Sequence, residues 1–230
     1  VCGSSLQTVI MAARAVALGD AQIIVAGGME NMTRAPFLLE KARQGYRLGH
    51  GELTDSLIKD GLWDVYNQFH MGNAGELCAA RYRFSRQEVD DFALESYSRA
   101  REAITAGSFT REIVPVEVPQ KKGAPRIVTD DEEPNRVDLS RLRQLKPVFQ
   151  DDGVLTVGNS PSCNDGAAAL VVMAEEEAHR LGLLPMARIV GYAGAALAPE
   201  WFTIAPIEAI RRLLKQTGLV VSDIDLFEIN

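Results

Sequence analysis

The segment VCGSSLQTVIMAARAVALGDAQIIVAGG (residues 1–28) decides the fold class. Gly3-Ser4-Ser5 precedes Leu6, Val9, Ile10, Ala13, Val16 and Ala17. That spacing predicts a helix buried on one side, with Ser4 or Ser5 available to cap its start. Gly19-Asp20 ends it. Ala21 to Ala26 reads as a short apolar strand bounded by Gly27-Gly28. A helix followed by such a strand predicts an α/β unit with helices over both faces of the sheet.

From Met32 to about Thr156 polar and charged residues dominate, with scattered Gly and Pro. Two helices are predicted there. One covers Ala74 to Tyr82. The other runs from Ser85 to Ala106, where Ser85 caps, Glu88 follows three residues on, and Val89, Phe92, Ala93, Tyr97 and Ala100 share a face. Ile113 to Val118 reads as a strand and Lys121 to Pro134 as a charged, solvated loop. The α/β texture then resumes. A buried strand is predicted over Gly166–Met173, a helix over Glu175–Leu181 ended by Gly182, a strand over Ala187–Ala193, a helix over Ile207–Gln216, and a last strand over Asp225–Ile229. A long polar insertion between two strands is a common place for ligand contacts.

The 230 residues are 47% hydrophobic and 24% charged, which excludes global disorder. A net charge of -7 argues against nucleic acid or an anionic membrane as partner. Cys2, Cys78 and Cys163 are odd in number and far apart, and they show no metal-ligand spacing with His50, His70 or His179. No disulfide scaffold and no metal site is therefore expected, and a reducing cytoplasm suits the pattern. The chain opens without Met and closes inside an apolar run, Leu226-Phe227-Glu228-Ile229-Asn230, so a piece of a longer protein is expected.

Cys2 immediately precedes the first helix, where unpaired N–H groups and the helix dipole favour a thiolate. A thiolate there can attack a thioester while nearby N–H groups receive the oxyanion charge. On position alone, a small structural cysteine at a helix start is the alternative. The neighbouring words decide between them. Val1-Cys2-Gly3-Ser4-Ser5-Leu6-Gln7 closely resembles the nucleophile segment of thiolases. Gly27-Gly28-Met29-Glu30-Asn31-Met32, Leu145-Lys146-Pro147-Val148-Phe149, Gly158-Asn159 with Asn164-Asp165-Gly166-Ala167-Ala168-Ala169, and Ile224 to Asn230 are similar to further thiolase motifs, in order and across the entire chain.

The resemblance implies the thiolase fold, a layered α/β/α/β/α arrangement, here incomplete and carrying a large loop-domain insertion. Residues 1–31 and 157–181 would belong to the N-terminal thiolase domain, 32–156 to the loop domain that holds coenzyme A, and 182–230 to the start of the C-terminal domain. The implied activity is that of an acetyl-CoA C-acetyltransferase in fatty acid metabolism: condensation of two acyl-CoA molecules, or thiolytic cleavage of a 3-ketoacyl-CoA, through an acyl-cysteine. Coenzyme A thioesters are substrates, and no separate cofactor is implied. Family members assemble as dimers or tetramers.

Carried over residue by residue, Cys2 is the acylated nucleophile. Asn230 is the asparagine that holds an oxyanion-hole water. His70 and Met71, in His70-Met71-Gly72, border the acyl and pantetheine pocket. The family's Gly-His-Pro histidine and its late Cys-Gly-Gly-Gly cysteine have no match, so the 230-residue chain alone is expected to be inactive. Cys78 and Cys163 read as structural. The family's CoA-contacting serine aligns with Pro161, leaving Ser160 or Ser162 to substitute, and Phe202 stands where many members have Met in a Met-Gly-x-Gly-Pro segment. Two other readings compete: another condensing enzyme of the same fold, and a non-catalytic carrier of acyl-CoA or lipid.

Overall fold

The computed structural model describes residues 2–229. In chain order the elements are α1 (Ser4–Leu18), β1 (Ile23–Asn31), β2 (Phe37–Leu38), β3 (Thr54–Asp55), β4 (Trp63–Asp64), β5 (Phe69–His70), α2 (Met71–Tyr82), α3 (Arg86–Thr105), β6 (Val116–Val118), β7 (Arg126–Val128), α4 (Glu133–Arg136), β8 (Asp165–Met173), α5 (Glu175–Arg180) and α6 (Ala205–Thr217). They form two compact units. One comprises the described residues up to Ala74 together with those from Cys163 onward; the other is Gly75–Ser162.

In the first unit α1 lies against the β1–β8 pair. The helix ends as its sequence dictates: Gly19 takes the left-handed conformation (φ 80°) and its amide bonds back into the last turn. Its start differs from the expectation. Gly3 is the N-cap and no side chain caps the end; Ser4 and Ser5 lie inside the first turn instead. β1 and β8 are antiparallel and in register from Ile23↔Met173 to Asn31↔Asp165. The chain between residues 31 and 165 is thus one long hairpin connection. Its neck is bolted by Asp165, whose carboxylate accepts the Thr33 amide at 3.0 Å and the Thr33 hydroxyl at 2.6 Å. These hydrogen bonds hold the Asp165 carboxyl below its usual range.

Several strand expectations need correction. β1 and β8 form, but only Ala26 is buried, because the sheet has two strands and no cover over much of its face. Ala187–Ala193 and Asp225–Ile229 are rich in apolar residues but form no ladder, since a strand needs a hydrogen-bonded neighbour and the described residues supply none.

The second unit is organised by α3. Ser85 Oγ accepts the Glu88 amide at 3.2 Å and Glu88 Oε2 accepts the Ser85 amide at 2.8 Å, the reciprocal cap legible in the sequence. The strand expected over Ile113–Val118 shrinks to Val116–Val118. The charged stretch after it is only partly a loop: it supplies β7, antiparallel to β6, and α4. Leu142, Thr156 and Asp90 are the largest fully buried side chains, so this unit centres on polar groups as much as on hydrocarbon.

Candidate active site

Gly28 lets the start of α1 approach the sheet, and Gly27 lets β8 pass close to β1. A Cβ on Gly28 would fall 2.1 Å from Ser5 Oγ, and one on Gly27 would fall 2.1 Å from the Ala168 carbonyl oxygen. At Gly27 backbone blocks any larger side chain, whereas at Gly28 the Ser5 side chain would first have to give way. Thr8 Oγ1 donates to the Ser5 carbonyl at 2.7 Å and reaches the Gly27 carbonyl at 3.1 Å, which ties helix to strand. Cys2 therefore rides on a rigid platform. Its thiol is free and exposed, just ahead of a helix end that no side chain caps. An exposed sulfur beside backbone N–H groups suits attack on an electrophilic carbonyl.

His70 ends the β4–β5 hairpin, opposite Trp63. Asp64 shapes the hairpin turn: its Oδ1 accepts the amides of Tyr66 (2.8 Å) and Asn67 (3.1 Å), and its carbonyl accepts the amide of Gln68 (2.8 Å). The Asn67 side-chain amide donates to the same carboxylate and, with these backbone bonds, holds its pKa down. Gln68 closes the turn in the left-handed region (φ 58°). His70 Nδ1 accepts the Gly72 amide at 3.0 Å, so the imidazole proton sits on Nε2. Burial pushes the His70 pKa down. The ring is a neutral donor at neutral pH. Met71 is the first residue of α2 and half-buried.

At its turn the same hairpin meets the 3-10 helix Pro199–Ile204, with Asn67 Nδ2 3.4 Å from Glu200 Oε2. That helix carries Phe202, which is partly exposed. Cys2, His70, Met71 and Phe202 all belong to the first unit, and Pro161 to the second. Asn230 lies outside the described residues. Among the described residues no helix is long and apolar enough to cross a membrane.

Sequence reasoning missed a second cluster. Glu76, Asp90 and Asn159 hold the backbone that leads to Pro161. Their acidic members lie on helices whose polar positions read as solvated, and burial alone distinguishes them.

Known proteins agree with this architecture. A family model described as "Thiolase, N-terminal domain" matches residues 1–176, and "Thiolase, C-terminal domain" matches 183–230. The chain is 47% identical over 232 residues to Acetyl-CoA acetyltransferase 2 of Arabidopsis thaliana, covering all of this chain and 58% of that protein. It is 44% identical over 231 residues to an acetyl-CoA acetyltransferase of Schizosaccharomyces pombe, with the same two coverages. The crystal structure of the Bacillus anthracis acetyl-CoA acetyltransferase superposes with a TM-score of 0.94 at 38% identity, covering all of this chain and 58% of that one. The structure of an acetyl-CoA acetyltransferase from Syntrophomonas wolfei gives 0.92 at 36%, covering all of this chain and 57% of that one. The chain thus spans somewhat more than half the length of these relatives. By family model, by sequence and by fold, it belongs to the thiolase family.

Proposed function

We propose that the complete protein is an acetyl-CoA C-acetyltransferase and that Cys2 is its acyl carrier. The supporting observation is the exposed Cys2 thiol at the uncapped start of α1, a helix whose first turn packs against Gly28 of the sheet. In the first half-reaction the Cys2 sulfur attacks the thioester carbonyl of an acyl-CoA. The carbon–sulfur bond to coenzyme A breaks, CoA takes up the thiol proton, and an acyl-cysteine remains. In the second, another acyl-CoA loses its α-proton to a base. The carbanion then attacks the acyl-cysteine, forming a carbon–carbon bond and releasing the Cys2 sulfur. Thiolytic cleavage is this sequence reversed.

In this reading residues 32–156 form the loop domain that holds the CoA moiety. Residues 1–31 with 157–181 belong to the N-terminal thiolase domain, and 182–230 open the C-terminal one. Asn230 orients a water at an oxyanion hole, while His70 and Met71 border the acyl and pantetheine pocket. CoA thioesters are substrates and no separate cofactor takes part. The protein works in the cytoplasm in fatty acid metabolism as a homodimer or homotetramer, without nucleic-acid or membrane partners. The base and the histidine that activates Cys2 have no counterparts among the motifs of this chain, so the 230 residues alone are inactive.

The test uses the complete protein. Cys2→Ala abolishes acyl transfer and covalent labelling by acetyl-CoA, read by intact mass, while leaving circular dichroism unchanged. Acylation of that variant at the normal rate would remove Cys2 from the mechanism. A wild-type protein that binds acetyl-CoA but never becomes acylated would favour the carrier reading instead.

A further inference from the structure

In the second unit the segment Gly153–Asn159 has no regular secondary structure, yet side chains take up its backbone groups. Glu76 accepts the amides of Val154 (3.0 Å) and Leu155 (2.8 Å). Asn159 works from the other side: its Oδ1 accepts the Thr156 amide at 2.7 Å and its Nδ2 donates to the Val154 carbonyl at 3.0 Å. The Thr156 hydroxyl accepts the Gly158 amide at 3.1 Å. Behind Asn159 stands Asp90, whose Oδ1 accepts Asn159 Nδ2 at 2.8 Å and whose Oδ2 accepts Arg86 Nε at 2.8 Å. Arg86 in turn donates to the Leu145 carbonyl at 2.8 Å. A Cβ on Gly153 would fall 2.2 Å from Glu76 Oε1, so the loop and its supports are mutually fitted.

Asp90 is 2% exposed, Glu76 6% and Thr156 0%. Burying carboxylates loses hydration, and apolar side chains of similar volume would serve stability as well or better. What a fully satisfied buried polar network supplies is a single backbone conformation. Here that conformation is delivered to Asn159 and passes directly into Ser160, Pro161 and Ser162.

We propose that Asp90 is a positioning residue for acyl-CoA binding: through Asn159 it fixes the backbone of the 154–160 segment, and that backbone sets the affinity for the CoA moiety. Being buried, Asp90 acts through Asn159 and not by touching substrate itself. This rests on the reading of the protein as a CoA-dependent acyltransferase.

The experiment compares Asp90→Asn, Asn159→Asp and the double swap in the complete protein, by calorimetric titration with CoA and steady-state kinetics with acetyl-CoA. Each single variant weakens CoA binding about tenfold and raises KM in parallel. Their kcat stays within about twofold of wild type. The swap restores a donor facing an acceptor between positions 90 and 159 but leaves the Val154 carbonyl without its donor, so it recovers part of the loss. Amide hydrogen exchange at Val154, Leu155, Thr156 and Gly158 is faster in the single variants. Unchanged CoA affinity in folded Asp90→Asn, or a fall in kcat at constant KM, overturns the proposal. Should Asp90→Asn not fold, Asn159→Ala carries the test, and wild-type CoA affinity in that variant overturns it equally. A wild-type protein that binds no CoA is a different failure. It refutes the proposed function, and this inference with it.

Discussion

At position 70 burial and a hydrogen bond act in the same direction. Burial lowers the His70 pKa, and the Gly72 amide needs an unprotonated Nδ1 as acceptor. A folded-state pKa below the unfolded value means that the unfolded chain binds the extra proton first. The stabilising effect of neutral His70 is therefore complete above about pH 6.5, the unfolded value, and is lost as pH falls towards the lower native one. Long-range nitrogen–proton NMR of the complete protein should show the ring as the Nε2–H tautomer with a midpoint below about 6.5. A midpoint at or above that value would refute the assignment. Gly27 and Gly28 give a second prediction. Gly27→Ala meets backbone that cannot move aside and destabilises by about 1–3 kcal/mol or more. Gly28→Ala meets chiefly the Ser5 hydroxyl, so its cost shrinks in a Ser5→Ala background, measured as a double-mutant cycle in urea. Cys2 and His70 could be singled out in the sequence because they stand in dense local motifs. Asp90 and Glu76 could not: a carboxylate on an amphipathic helix reads as solvated until the partner that buries it is known, and Asn159 is 69 residues away from Asp90.

Among the elements, helices were legible and strands only half so. α1, α3 and α6 carry their own stop and start signals, such as Gly19, the Ser85–Glu88 box and Gly218, which turns left-handed (φ 74°) after α6. All of that information is local. Ala187–Ala193 and Asp225–Ile229 look like strands because apolar runs do, but pairing is a property of two segments. β6 lies within the expected strand, but its partner β7 escaped notice, because Ile127 and Val128 are two apolar residues between Arg126 and Thr129 in a charged stretch. α3 offers the clean test of local encoding. Ser85→Ala removes one arm of the box and should cost about 1 kcal/mol of stability in thermal or urea unfolding. Loss of less than a few tenths would mean that packing, and not the cap, sets where α3 begins.

For the whole molecule, surface area is the informative quantity. A compact folded protein of 25.1 kDa exposes roughly 10,000 Å². This chain exposes 18094 Å², and the exposed residues include Val25, Met29, Leu170, Val171, Leu184 and Leu226. So many exposed apolar side chains call for protein to cover them. Expressed by itself, the 230-residue chain should bind the dye ANS strongly, unfold without a sharp transition, and make no 3-ketoacyl-CoA from acetyl-CoA. A cooperative melt with no dye binding would refute the first two expectations, and measurable turnover the third.

The bolt between Thr33 and Asp165 has a consequence for how such a protein changes over time. Because the chain departs at Asn31 and comes back directly beside it, residues beyond Thr33 can be gained or lost along the excursion without shifting the pairing of β1 with β8. The entropic penalty of a longer excursion rises only with the logarithm of its length. Selection can thus remodel what the excursion carries while the platform beneath Cys2 keeps its geometry.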